Sequence, residues 1–178
     1  MNNQRIVILG FMACGKTTVG RELARQLESP FVDLDSFITE RHGRSPAEII
    51  QRDGEVSFRE IEKLALRDIL QSRETGVIAL GGGTWTVPEN RTLLALFECT
   101  TVWLDAPFEL CWKRIDSSED VRPLAANRVN ALDRFHERAK DYALADRRVQ
   151  VSESDTPELI AGQILKDMAK CQNPDTSG

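Results

Sequence analysis

At 178 residues the chain has the size of one compact domain and is too short for two full ones. Hydrophobic residues make up 41% and charged residues 29%, the balance of a soluble globular protein with a buried core. The net charge of -5 gives no general attraction for nucleic acid or anionic membrane, so any phosphate binding has to come from a local site.

The chain opens on a short apolar run, Ile6 to Leu9, too short for a signal peptide or a membrane span. Unbroken by polar residues, it reads as a strand covered on both faces. An amphipathic helix follows, with Val19, Leu23 and Leu27 four residues apart. Phe31 to Leu34 is the second expected strand. From about Ser36 to Gln71 the pattern is helical with no strand between, and Ser45-Pro46-Ala47-Glu48 is a capping box with proline in the first turn. Val77 to Leu80 is the third strand and Thr101 to Leu104 the fourth. Phe108, Cys111, Trp112 and Ile115 mark a helix behind Pro107, and Trp103 and Trp112 read as core. A polar stretch without periodicity runs from about Asp116 to Asn130. Leu132, Phe135, Ala139 and Tyr142 form a further helical stripe, Val149 to Val151 is the fifth strand, and Thr156-Pro157 opens the last helix. Strands alternating with helices give an α/β fold with a parallel sheet. The two stretches that break the alternation are expected over the C-terminal edge of that sheet, where ligands bind. Gln172 to Gly178 reads as a tail.

Between the first strand and the first helix stands Gly10-Phe11-Met12-Ala13-Cys14-Gly15-Lys16-Thr17, a match to G-x-x-x-x-G-K-[ST]. The glycines let successive backbone N–H groups, from Ala13 and Cys14 through Gly15 to Thr18, turn onto phosphate oxygens. Lys16 places a charge on the β- and γ-phosphates and Thr17 offers a hydroxyl to Mg²⁺. The helix behind them adds the partial positive charge of its N-terminus. The spacing therefore predicts a nucleotide-binding loop. Cys14 is either a reactive thiol at a helix N-terminus or a small filler. The four cysteines show neither a C-x-x-C pair nor zinc spacing and read as reduced thiols of a cytoplasmic protein.

Taken one at a time, the remaining polar features have plain structural readings. Asp35 or Ser36 caps the next helix. Arg59 and Arg138 lie on solvated helix faces. Gly81-Gly82-Gly83 is a tight turn. His42 and His136 sit on the surface. Together and in order, however, the stretch Leu9 to Gly20, Asp33-Leu34-Asp35, Phe58-Arg59-Glu60-Ile61-Glu62, Gly81-Gly82-Gly83, Val121-Arg122-Pro123-Leu124, and Arg138 with Tyr142 resemble the shikimate kinase family over essentially the whole folded chain.

The resemblance implies a three-layer P-loop fold of the nucleoside-monophosphate-kinase type. Its five-stranded parallel sheet lies between helices, within a single domain 1–171. A substrate-binding insertion would span 36–71 and a lid 116–127. It implies transfer of the ATP γ-phosphoryl group to the 3-hydroxyl of shikimate with Mg²⁺. Arg59 and Arg138 would grip the acceptor carboxylate, Asp35 would hold the hydroxyls and take the proton of the attacking one, and Gly81, Gly82 and Gly83 would bring backbone to the substrate. Asp33 would stand near the metal, with Thr17. Arg122 would fold over the nucleotide and neutralise charge developing in transfer. ATP and shikimate are the implied partners of a cytoplasmic monomer.

Three departures stand out. Ala13 and Cys14 occupy places where the family often has glycine, Ser117 to Asp120 is acidic, and Ser152 to Asp155 offers no basic residue for adenine. Lys113 and Arg114 could each reach phosphate and carry no assigned role. A kinase of gluconate, an aminosugar or another small polyol is the neighbouring reading, and a non-catalytic nucleotide-binding regulator the more distant one.

Overall fold

The structure is a computed structural model in which residues 5–72, 76–117 and 127–172 are described. Arg122, Pro123 and Leu124, most of the expected lid, and residues 173–178 of the tail lie outside these. Five strands form one parallel sheet: β1 (Ile6–Leu9), β2 (Phe31–Asp33), β3 (Val77–Ala79), β4 (Thr100–Asp105) and β5 (Arg147–Gln150), in the spatial order β2-β3-β1-β4-β5. The helices are α1 (Lys16–Gln26), α2 (Leu34–His42), α3 (Pro46–Gln71), α4 (Pro88–Leu96), α5 (Phe108–Asp116), α6 (Arg128–Tyr142) and α7 (Pro157–Gln172). No helix among the described residues is long and apolar enough to cross a membrane.

The register explains where the site must lie. In the parallel pairing Ile8 stands opposite Ala79, and Ala79 opposite Asp33. β1, β2 and β3 therefore end at one level, and the loops that leave them meet over a single edge. β1 and β3 are buried at every residue, as strands with helices on both faces must be. β5 pairs on one side only. It begins at Arg147, ahead of the apolar Val149 that marks it in the sequence, because an edge strand needs burial on one face only and Arg148 and Gln150 are exposed.

Three local features were not anticipated. First, β2 stops at Asp33, which is the N-cap of α2: its Oδ1 accepts from the Ser36 N–H at 3.1 Å. The cap is thus Asp33, and neither Asp35 nor Ser36, because Leu34 already enters the helix. Second, α3 is kinked at Gly54, whose φ of 85° and ψ of 162° interrupt the helical path. Third, α4 follows a single 3₁₀ turn, Thr84–Thr86, and starts with Pro88 in its first turn. The Ser45–Glu48 capping box forms as expected, with each side chain bonded to the other's backbone N–H. Trp103 is buried and Trp112 packs against the core, while His42 and His136 are exposed.

At the top of β1 the loop backbone turns sharply. Gly10 takes φ 144°, and a Cβ there would meet the Leu104 carbonyl oxygen at 2.7 Å and Cys14 Sγ at 2.9 Å. No other residue fits. Ala13, by contrast, carries a side chain at φ 60°. The left-handed conformation costs an L-residue about 1 kcal/mol, which glycine avoids. Ala13→Gly is therefore expected to stabilise the protein by about 0.5–1 kcal/mol, read as a rise in urea midpoint at constant m; an unchanged or lower midpoint would show that the loop backbone is unstrained at this position.

Candidate active site

One cleft of about 840 Å³ runs across the C-terminal edge of the sheet. Its floor is the loop and first turn of α1, Met12 to Val19. One end is walled by Asp33, Asp35, Arg59, Glu62, Gly81, Gly82, Gly83 and Arg138, the other by Arg114, Val151, Asp155, Pro157 and Ile160. The structure thus brings together every expected site residue that is described. Arg122 lies outside the described residues.

Lys16 leans back over its own loop, donating to the carbonyl oxygens of Gly10 at 3.1 Å and Phe11 at 2.9 Å. Arg114 reaches the same loop from α5, Nη1 donating to the Ala13 carbonyl at 3.1 Å. Lys113, its neighbour, turns away and pairs with Glu153. Of the two cations without an assigned role, Arg114 is therefore the one in the cleft. Within the same acid-rich Ser152–Asp155 loop, Asp155 accepts from the N–H of Ser152 at 2.7 Å and its hydroxyl at 2.8 Å. Cys14 is buried beneath the loop at 1% exposure, the position of a small filler.

The Thr17 hydroxyl donates to Asp33 Oδ2 at 2.6 Å. Asp33 so does two jobs, capping α2 with one oxygen and facing Thr17 with the other. A hydroxyl and a carboxylate side by side are hard oxygen donors suited to Mg²⁺, which takes few protein ligands and fills its shell with phosphate and water. The described residues hold no group of three or more His, Cys, Asp or Glu able to form an all-protein cage. The residues present fit that mode of binding.

The acceptor end is an alternation of acids and bases around the buried Glu62. Glu62, only 1% exposed, accepts from Arg59 Nη1 at 2.8 Å and from the Thr84 hydroxyl at 2.7 Å. Arg59 also meets Glu55 at 2.9 Å and lies over the Phe58 ring. Burial works against the Arg59 guanidinium, but Glu62 and Glu55 outweigh it and hold its pKa above the usual value. Across from it, Arg138 crowds the glycines: a Cβ on Gly82 would lie 3.2 Å from its Nη1, and one on Gly83 would lie 2.7 Å from Arg59 Nη2 and 3.2 Å from Arg138 Nη2. Two guanidinium groups thus flank Gly83, and only bare backbone leaves them room. A Cβ on Gly81 would press on Asp35 Oδ1 at 2.8 Å and Thr84 Oγ1 at 3.0 Å.

Sequence reasoning gave Glu62 no role, although it stands three residues after Arg59 and hence on the same helix face. It also gave none to the wall behind the glycines. There Trp85 Nε1 donates to the Asp141 carbonyl at 2.8 Å, Asn90 Nδ2 to the Thr84 carbonyl at 3.0 Å, and Arg91 to the Trp85 carbonyl at 2.8 Å. Nothing in the sequence signals that Trp85 reaches Asp141, 56 residues away.

Asp35 is drawn up to about 6 by loss of hydration first and by the charge of Asp33 second, against the pull of Lys16 and Arg59. Its folded pKa exceeds the ordinary 3.8, so folding takes up a proton between about pH 4 and pH 6. The ionised carboxylate therefore costs the folded state stability as pH rises through that window, and the full cost stands above pH 6. Lys16, the two arginines and this carboxylate line one small cleft, and a shifted carboxyl in such a place is a candidate for chemistry.

The fold and this cleft define a P-loop phosphotransferase with a distinct acceptor pocket. The family profile described as shikimate kinase matches residues 12–169, and the chain belongs to that family. The shikimate kinase of Enterococcus faecalis is 36% identical over 168 residues, covering 93% of this chain and 98% of the relative. That of Aquifex aeolicus is 37% identical over 162 residues, covering 90% and 94%. Among solved structures, shikimate kinase from Acinetobacter baumannii in complex with shikimate superposes with a TM-score of 0.88 at 29% identity, over 96% of each chain. A gluconokinase from Sinorhizobium meliloti shares the fold at a TM-score of 0.67 and 19% identity. The sheet architecture alone does not select the acceptor.

Asp35→Asn should raise the stability of the ligand-free, metal-free protein at pH 7.5 by about 1–3 kcal/mol and leave it nearly unchanged at pH 4. Denaturant titrations at the two pH values check this; equal effects at both would remove the buried-carboxylate cost from the account.

Proposed function

We propose that this chain transfers the γ-phosphoryl group of ATP to the 3-hydroxyl of shikimate, giving shikimate 3-phosphate and ADP. The observation that carries the reading is the pair of guanidinium groups on Arg59 and Arg138, which flank Gly83 in the same cleft as Lys16 and Asp35. A planar carboxylate is the natural ligand of such a pair, and it fixes a small cyclic acid with its hydroxyls toward Asp35. Gluconate carries a carboxylate as well, but family membership and the glycine-lined wall favour shikimate.

In this reading the backbone N–H groups from Ala13 to Thr18 and the N-terminus of α1 hold the β- and γ-phosphates. Lys16 leaves its two loop carbonyls for the phosphate oxygens, where its charge stabilises the transferring group. Thr17, with Asp33 acting through water, would hold Mg²⁺, whose chemistry is to neutralise charge shared by the β- and γ-phosphates. Asp35 orients the acceptor hydroxyl and receives its proton, a task suited to a carboxyl whose affinity for protons is raised. Arg59 and Arg138 place the ring, and the rate gain comes mostly from this positioning. Arg122 is assigned, on resemblance, to the nucleotide phosphates. The enzyme acts on two dissolved substrates as a cytoplasmic monomer.

Two substitutions separate the two ends of the cleft. Lys16→Met should reduce kcat at least about 100-fold while the thermal midpoint stays within a few degrees. Arg138→Ala should raise the shikimate KM at least about tenfold and the ATP KM less than about twofold. Retention of a tenth of kcat in the first, or equal KM shifts in the second, would contradict these roles.

A further inference from the structure

Tyr142 ends α6 with its side chain 2% exposed and its ring 6.0 Å from that of Trp103. Buried tyrosines need a partner for the hydroxyl, and this one spends it on the acceptor wall: Oη donates to the Gly82 carbonyl at 2.5 Å. Burial first of all pushes the phenol's pKa well above its ordinary value, so it remains a donor throughout the working pH range. Arg138, one helical turn earlier, stands beside the same glycine: a Cβ on Gly82 would lie 3.2 Å from its Nη1. All described peptide bonds are trans, so the Gly83 N–H is directed opposite to the Gly82 carbonyl that Tyr142 holds. A single buried hydroxyl thereby holds the backbone carbonyl of the glycine beside which Arg138 stands.

We propose that Tyr142 is a positioning residue for the acceptor: its hydroxyl fixes the Gly82–Gly83 peptide plane against which the Arg138 guanidinium lies, and so sets the geometry in which the acceptor carboxylate is gripped. The glycines are the reason such a strut is needed. Gly81, Gly82 and Gly83 have no side chains to lock their backbone, and an unrestrained triple glycine would sample many conformations. Glu62 through Thr84 and Asn90 through the Thr84 carbonyl secure the far side of the turn. Tyr142 is the bond to the middle glycine itself. This inference rests on the reading of Arg138 as a carboxylate ligand.

The test is a double-mutant cycle of Tyr142→Phe and Arg138→Ala, with Trp85→Phe as a control that removes the Nε1–H bond to Asp141 from the same wall without touching Gly82. Tyr142→Phe keeps the ring packed on Trp103. It should raise the shikimate KM, and the shikimate Kd measured calorimetrically without nucleotide, by about fivefold to tenfold, with the ATP KM inside twofold. In the Arg138→Ala background the same change should add less than about twofold. The Trp85→Phe control should lower the thermal midpoint without this selectivity. Equal rises in both KM values for Tyr142→Phe, no rise at all, or full multiplication of the two effects would overturn the proposal and leave Tyr142 a packing residue. If Arg138→Ala alone leaves the shikimate KM unchanged, the carboxylate reading of Arg138 falls first and the proposal falls with it.

Discussion

The site depends on one constraint, the parallel register that ends β1, β2 and β3 at the same level. Ile8, Ala79 and Asp33 lie side by side across the three strands. What leaves each strand is then forced into one crevice: the phosphate loop after β1, Asp33 and Asp35 after β2, and the glycine wall after β3. In an open α/β sheet this edge is where ligands bind, because helix N-termini and strand-end loops face it together. The apolar strands thus do more than fill the core. They hold three chemically different loops within reach of one another, with no need for a long connection.

Within the crevice, the chemistry follows from how charge is distributed. Glu62 is buried and negative, and its cost is met by Arg59 and the Thr84 hydroxyl. In return it holds Arg59 beside Gly83, where Arg138 also reaches. Asp35 has no comparable compensation and keeps a raised affinity for protons. One carboxylate is therefore tied to an arginine, while the other keeps its raised affinity for protons. The same division appears at the phosphate end, where Arg114 braces the loop through the Ala13 carbonyl and Lys16 stays on bonds to loop carbonyls that a phosphate can replace.

Much of this was legible in the sequence. The unbroken apolar runs placed β1 and β3, and the Gly10–Thr17 spacing placed the phosphate loop, because both are local signals with a local cause. The capping box at Ser45 was readable for the same reason. The kink at Gly54 and the left-handed Ala13 were not, since each depends on what the surrounding chain permits. Asp33 was expected near the metal, yet its capping of α2 was missed. A strand-end aspartate two residues from another gives no sign of which one ends the strand. Glu62 and Tyr142 were within recognised stretches but had no role: the Arg59–Glu62 spacing was local and readable, whereas Thr84 lies 22 residues from Glu62 and Gly82 lies 60 residues from Tyr142. Contacts at that separation become visible only when the fold brings the loop after β3 against both α3 and α6.

The most direct measurement is ADP release with ATP and Mg²⁺, comparing shikimate, quinate, gluconate and no acceptor at one enzyme concentration. Rapid turnover is expected with shikimate and, with each of the others, no more than the slow background seen without acceptor. Turnover with gluconate equal to that with shikimate, or binding of ATP without turnover on any acceptor, would contradict it.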